Sequence, residues 1–414
     1  MREMKNSGIE WMGDIPQTWG TIKFKYLHSG LNTGEAIDKE FWSTDENDRI
    51  FYTAGLVPIR TTYTDFPEWK LTKNNDLLLA RNGTPYVYYP ESNSSYTDHI
   101  IRAMMKDGVN RRFIQYSLQQ SISSVVVETV SIATWSASLW NEQIIAYPTL
   151  EEQKRIADYL DCKCAEIDAV IEKTKATIEE YKKIKQQIII EAITKGIDKH
   201  CEMKESGIDW IGKVPIETEI IKIKYVTDIS RGLFNHRPRN DERYYGGKYP
   251  FIQTGDVARA GKFITTYSQT LNELGISVSK LFPKGTMTMT IAANIGDVAI
   301  LGFDAYFPDS VVGFTPKQGY FENYIYYLFC SMKEMFMRTA VVSTQLNLNI
   351  ERIKELFAPI IKDIDKQKEI ADYLDEKCAE IDTLIAKKTT LLEEMENYKK
   401  SVIYEYVTGK KEVM

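Results

Sequence analysis

Histidine is scarce in this 414-residue chain: His28, His99, His200 and His236 are the whole complement, and each lies far from the others. So few imidazoles leave little material for a histidine-based metal site, and no metal is expected. The five cysteines, Cys162, Cys164, Cys201, Cys330 and Cys378, form neither an even secreted framework nor paired C-x-x-C knuckles, so free thiols are expected. No apolar run approaches the roughly 18 residues that a membrane span requires. The opening MREMKNSGIEWMG also lacks an apolar signal core, and the expectation is a cytoplasmic protein with no membrane partner. Catalytic signatures are missing too. There is no G-x-x-x-x-G-K-[ST] phosphate cradle, no G-x-G-x-x-G opening a helix after a strand, and no Asn/Asp-Pro-Pro-Tyr/Phe stretch of the amino-methyltransferase kind. A helicase or methylase in this chain is therefore not expected. Net charge is −6, which excludes a uniformly basic sponge for nucleic acid.

What is present is ample core material. Hydrophobic residues make up 43% and aromatic residues 12%, so the chain is globular, and its length suits several packed units. The strongest signal is duplication. Gln153–Asp168 reads QKRIADYLDCKCAEID and Gln367–Asp382 reads QKEIADYLDEKCAEID, identical at 14 of 16 positions. SGIEWMG at Ser7–Gly13 returns as SGIDWIG at Ser206–Gly212, with Pro16 and Pro215 in register. Each copy thus has a short leader, a divergent stretch and a repeated segment, with about 15 more residues between leader and repeat in the second copy.

The divergent stretches read as mixed α/β, with short strands such as Asp76-Leu77-Leu78-Leu79 and Thr286–Ile291 between turn residues. In the repeated segments, apolar residues recur every three or four positions, from Ile156, Leu160 and Cys164 to Ala192, and from Ile370, Leu374 and Cys378 to Val402. Neither segment has an internal Gly or Pro before Gly196 and Gly409, which predicts two long helices. Connectivity predicts how they pair. The second divergent domain starts where the first helix ends and finishes where the second begins. A compact domain with neighbouring termini then requires an antiparallel pair, which also brings the chain's own termini together. The expected fold is α/β (α+β): two copies of a globular domain joined by two long helices as an antiparallel coiled coil, with an internal pseudo-twofold repeat. The expected boundaries are 1–150 (leader and first domain), 151–197 (first long helix), 198–364 (leader and second domain) and 365–414 (second long helix).

Two unlike domains in inverted orientation suit an object with its own local twofold, and duplex DNA is such an object. The leaders SGIEWMGDIP and SGIDWIGKVP, and the helix openings EEQKRIADYLD and DKQKEIADYLD, resemble those of the specificity subunit of type I restriction-modification systems. The resemblance covers essentially the whole chain. Asp76–Thr84 and Ser343–Asn347 are similar to recurring stretches of that family's target-recognition domains. The resemblance implies a non-catalytic subunit whose two domains bind the halves of a bipartite double-stranded DNA target, with the helices setting the gap between them. It also implies two adenine-methylating modification subunits and nuclease-translocase restriction subunits as partners. No cofactor is expected in this chain; S-adenosylmethionine, ATP and Mg belong to those partners. The competing classes are a stand-alone DNA methyltransferase or nuclease, and a coiled-coil scaffold indifferent to DNA.

Charge counted by segment is −2 for 17–150, +2 for 216–364, and −1 and −3 for 151–200 and 365–414, so the acid sits largely on the helices. The densest basic cluster is Arg231, Arg237, Arg239, Arg243 and Lys248, with Asn235 and His236 between them. Arg forks onto guanine and Asn onto adenine, which makes this stretch a candidate reader; the alternative is a solvated loop neutralised by Asp228, Asp241 and Glu242. In the first domain, Arg60-Thr61 and Arg81-Asn82-Gly83-Thr84 combine donors and hydroxyls beside a turn. Trp135 and Ser136 near the end of the first domain, and Ser343, Thr344, Gln345 and Asn347 near the end of the second, form polar runs. Each is a candidate DNA contact or a turn packed on the helix start. Trp11 and Trp210 are expected to anchor the leaders on the helices. Tyr86, Tyr88 and Tyr89 are expected to serve packing before any base stacking.

Overall fold

The computed structural model describes residues 2–82, 85–123, 134–292, 294–342 and 346–413. The chain divides into two compact units, Met1–Lys175 with Thr390–Met414, and Ala176–Thr389. Both boundaries fall inside the long helices, which run over Leu150–Lys195 and Ile364–Val407. No helix among the described residues is long and apolar enough to cross a membrane.

In the first unit, an antiparallel sheet orders strands His28–Thr33, Ile100–Met105, Asp76–Ala80 and Val87–Tyr88. A second sheet orders Ser95–Tyr96, Arg49–Tyr52, Ile59–Thr61 and Trp42–Ser43. Asp76–Ala80 is buried throughout because it is covered on both faces. Successive strand side chains point to opposite faces. Leu77 and Leu79 accordingly join the core that contains Ile156, Leu160 and Cys164 of the first long helix, while Leu78 and Ala80 join Tyr52, Tyr88 and Tyr96 in a separate core. The second unit repeats the scheme. Its sheet orders Thr227–Arg231, Val311–Pro316, Met287–Thr290, Val298–Leu301 and Phe263–Ile264. Val298 and Ile300 face the helix-side core, and Ala299 and Leu301 face the other.

Each leader is a hairpin, Met4–Asn6 with Asp14–Pro16 and Met203–Glu205 with Lys213–Pro215. Trp11 and Trp210 are partly buried against the cores of their own units, which include residues of the long helices. Gly409, at a left-handed φ of 72°, caps the second long helix against Pro16, where a Cβ would collide with the proline ring; Gly196, at the same φ, caps the first beside Pro215, where a Cβ would make only ordinary contact.

One identical position of the helix repeats is explained by its surroundings: Gln153 and Gln367 are both fully buried. Gln153 accepts the Asn110 N–H at 2.9 Å and donates to the Pro148 carbonyl at 2.9 Å. Gln367 accepts the Phe321 N–H at 2.6 Å and donates to the Ile361 carbonyl at 2.8 Å. A buried amide saturated in this way ties the helix start both to the strand before it and to the helix packed on it. Two residues of the repeat also pair the helices. In the first unit Lys399 meets Asp168 at 2.6 Å and the Tyr406 ring lies 4.4 Å from that of Tyr159, so the helices run antiparallel there. In the second unit Lys185 meets Asp382 at 2.7 Å, while Ile188, Ala192 and Lys195 share a cavity of about 370 Å³ with Tyr373, again antiparallel. The chain ends meet within the first unit, where Arg2 pairs with Glu412 at 3.0 Å and with Glu152 at 2.5 Å.

Candidate nucleic-acid interface

In the second unit a strand ends at Arg231 and gives way to a loop that returns through a short 3-10 turn at Glu242–Tyr244. Gly232 lets the loop lie directly on the segment at Phe307–Pro308: a Cβ there would overlap the Pro308 carbonyl oxygen and the Phe307 ring. The close approach is held by the Gly232 N–H on the Val311 carbonyl and the Leu233 N–H on that of Phe307, at 2.9 and 3.0 Å. Three guanidiniums thereby converge on one residue. Arg231 Nε donates to the Asp309 carbonyl at 2.8 Å, Arg237 Nη2 reaches the Asp309 carboxylate at 3.3 Å, and Arg239 pairs with its other oxygen. Arg237 is also anchored on the Phe234 and His236 carbonyls. Arg237 and Arg239 keep about half of their side-chain surface exposed. One carboxylate under three arginines leaves the patch positive, and its guanidiniums are prearranged for a phosphate or a guanine edge.

The rest of the expected cluster is divided. Arg243 forks onto Asp241, with Nη2 at 2.7 Å, and holds that carboxyl well below the usual carboxylate range. Asp241 also faces His236 Nε2 at 3.0 Å, and the His236 ring stacks on Tyr244. Asn235 is exposed, with its N–H on the Val278 carbonyl. Lys248 stands 4.0 Å from Glu273 and is not joined to the arginines at Asp309. Asn347 lies in strand Leu346–Asn347, paired with Val341–Val342. Thr84, Ser343, Thr344 and Gln345 lie outside the described residues.

In the first unit Arg81 is exposed and has no ion-pair partner among the described residues. It lines a hollow of about 520 Å³ with Asn32, Trp69, Lys70 and Ser136. Ser136 also caps the short helix Ala137–Asn141 by accepting the Leu139 N–H. Asn82 bridges Thr134 and contacts His99 Nδ1 at 2.7 Å. Arg60 lies in a different hollow and donates to the Asp48 carbonyl at 2.9 Å. Two expected contacts are interior residues instead. Thr61 is buried, its hydroxyl donating to the Phe41 carbonyl and accepting the Tyr63 N–H. Trp135 is buried against Trp140, with ring centroids 5.2 Å apart, because the polar run TWSAS turns its one large aromatic inward.

Sequence reasoning missed Asn32, Trp69 and Lys70 in the hollow, and the organising role of Asp309. The loop carrying Trp69 is held from beneath by buried Arg102, which donates to the Trp69 and Leu71 carbonyls at 2.8 and 2.6 Å and pairs with Asp76. Trp69 itself is 60% exposed, an aromatic face beside Lys70 and Arg81. Tyr88 is a packing residue whose hydroxyl donates to the Thr53 and Gly55 carbonyls. Among the described residues no group of three or more His, Cys, Asp or Glu is placed to hold a metal ion.

Two α/β domains, each bound to its own copy of one helix repeat and each exposing arginine beside polar side chains, define a duplicated fold. Residues 215–394 match the family model described as the type I restriction modification DNA specificity domain. The chain is 29% identical over 182 residues to the MjaIX specificity subunit of Methanocaldococcus jannaschii, covering 42% of this chain and 41% of that one. It therefore spans less than half the length of that relative. It is 22% identical over 331 residues to the EcoBI specificity subunit of Escherichia coli, covering 74% of this chain and 67% of that protein. A solved chain reported for the complex assembly and conformational transition of a type I R-M system aligns with TM-score 0.67 at 12% identity. That alignment covers 96% of this chain and 99% of that one, so the fold is shared. The resemblance read from the repeated leaders and helix openings is borne out: the chain is similar to the specificity subunits of type I restriction-modification systems.

Proposed function

We propose that this chain is the non-catalytic DNA-specificity subunit of a type I restriction-modification complex. Each unit reads one half of a bipartite duplex target, and the lengths of the two long helices set the unread gap. Two modification subunits methylate adenine on the site so chosen, restriction subunits add cleavage and translocation, and S-adenosylmethionine, ATP and Mg act in those partners alone. The observation that carries this reading is the combination of one repeated helix framework with two differently decorated domains: arginines gathered on Asp309 in one unit, and Arg81 beside exposed Trp69 in the other. A shared framework with unlike readers is what a two-part target with two different halves requires.

Mapping methylated adenines in cells with and without the gene tests the reading. A bipartite motif should vanish with the gene, and an unchanged methylation pattern would refute it. Adding about four residues, one helical turn, to both long helices at matching levels should alter the tolerated gap. A DNA-independent scaffold predicts partner binding with no sequence preference, and a stand-alone enzyme predicts methyl transfer by the isolated chain.

A further inference from the structure

The leader repeat does not stop at Pro16 and Pro215. At the same offset, Ile22-Lys23-Phe24-Lys25-Tyr26 recurs as Ile221-Lys222-Ile223-Lys224-Tyr225. In each copy a strand ends in a 3-10 turn, Phe24–Tyr26 and Ile223–Tyr225, whose first residue is fully buried. That anchor leaves the tyrosine two positions later outside the core, and Tyr26 and Tyr225 are both 59% exposed. A single carboxylate frames each ring. Glu142 takes Lys23 and, at 3.3 Å, Lys25; Glu355 takes Lys222 and Lys224 at 2.6 Å each. The second lysine of each pair lies 5.4 or 5.3 Å from its tyrosine ring. A third lysine completes each frame from a neighbouring strand end: Lys106 donates to the Tyr26 carbonyl, and Lys317 donates to that of Lys224 while also pairing with Asp228 at 3.5 Å.

The domains around these patches have diverged, and the patches have not. A surface that reads bases would change with its half-site, so an unchanged one meets the same ligand twice. The centre of each patch is an aromatic ring in a charge-paired rim, the make-up of a protein hot spot. We infer that Tyr26 and Tyr225, each in its Lys–Glu–Lys frame, are equivalent docking points for two copies of one protein partner. That partner's face offers a slot for the phenol ring, bordered by acidic groups that match the excess of lysine. The inference rests on the function proposed above, in which two modification subunits bind this chain, and it locates where they grip.

The test uses the full chain with its co-expressed modification subunit, counted by native mass spectrometry, alongside retention of target duplex. The wild type should carry two modification subunits, Tyr26→Ala and Tyr225→Ala one each, and the double variant none at concentrations that saturate the wild type. Each lost contact should weaken binding by at least about tenfold. Melting temperature should not change, because both rings are largely exposed. A double variant that still carries two subunits overturns the inference and leaves the proposed function standing. Loss of DNA retention with both subunits kept also overturns it, by assigning the patches to DNA. A wild type that retains its duplex but binds no modification subunit removes the underlying reading as well.

Discussion

Replacing Gly232 with alanine should uncouple the arginine loop of the second unit from the turn that carries Asp309. The new methyl group would overlap the Pro308 carbonyl oxygen, the Phe307 carbonyl oxygen and the Phe307 ring. Phe307 cannot yield, because it is fully buried and stacks on Phe282 with centroids 3.8 Å apart. The two backbones must therefore separate, which strains or breaks the Gly232–Val311 and Leu233–Phe307 hydrogen bonds. Two such bonds contribute about 1 kcal/mol each, and forcing a methyl into packed surroundings costs about 1–3 kcal/mol, so the expected loss is roughly 3–5 kcal/mol. For a unit of this size that lowers the melting temperature on the order of 6–20 °C. The functional effect should be one-sided: the sequence constraint read by the second unit relaxes, while that read by the first is kept. Calorimetry together with selection from a randomised duplex library measures both. Unchanged melting with an unchanged constraint on both half-sites would show that the Gly232 contact does not position the arginines.

Arg237→Ala with Arg239→Ala should relax the same half-site by about 1–3 kcal/mol for each guanine read. If the two arginines hold phosphates instead, binding should weaken for all sequences and the slope of log K against log salt should fall by about 0.9 per residue. Gln367→Leu leaves the Phe321 N–H and the Ile361 carbonyl buried and unpaired, at about 1–3 kcal/mol each, and an unaltered melting temperature would contradict that role. His28 has its pKa held below 6.5, chiefly by burial, with Nε2 on Asn141 Oδ1 at 2.8 Å and Nδ1 buried without a partner among the described residues. Below pH 6.5 the unfolded chain binds the proton that the folded one resists. The His28 contribution is therefore complete above 6.5 and is lost as pH falls below it. Denaturant titrations of wild type and His28→Gln should differ in pH dependence there, and parallel curves would refute the assignment.

The helix framework was legible because its repeat is dictated by interactions that occur twice: Gln153 and Gln367 must each satisfy the same two backbone groups, so their surroundings cannot drift. Antiparallel pairing was legible from connectivity alone. The arginines of the second unit could be seen as a group because they are close in sequence. Their common partner could not, since Asp309 lies 70 or more residues away and is brought beneath them only by sheet register. The hollow at Trp69 draws its wall from separate segments, each unremarkable by itself. Trp135 misled because a tryptophan amid serines and threonines looks displayed, whereas the adjacent Trp140 supplies a buried surface for it.

The strand Asp76–Ala80 works as a partition. Leu77 and Leu79 answer to the helix framework, and Leu78 and Ala80 answer to the tyrosine-rich outer layer, so mutations on alternate residues fall under separate constraints. On the function proposed above, a lineage of such proteins can rebuild the outer layer, and with it the sequence preference, while the inner layer that docks on the helices stays as it was. New targets then become reachable without renegotiating how the reader is mounted.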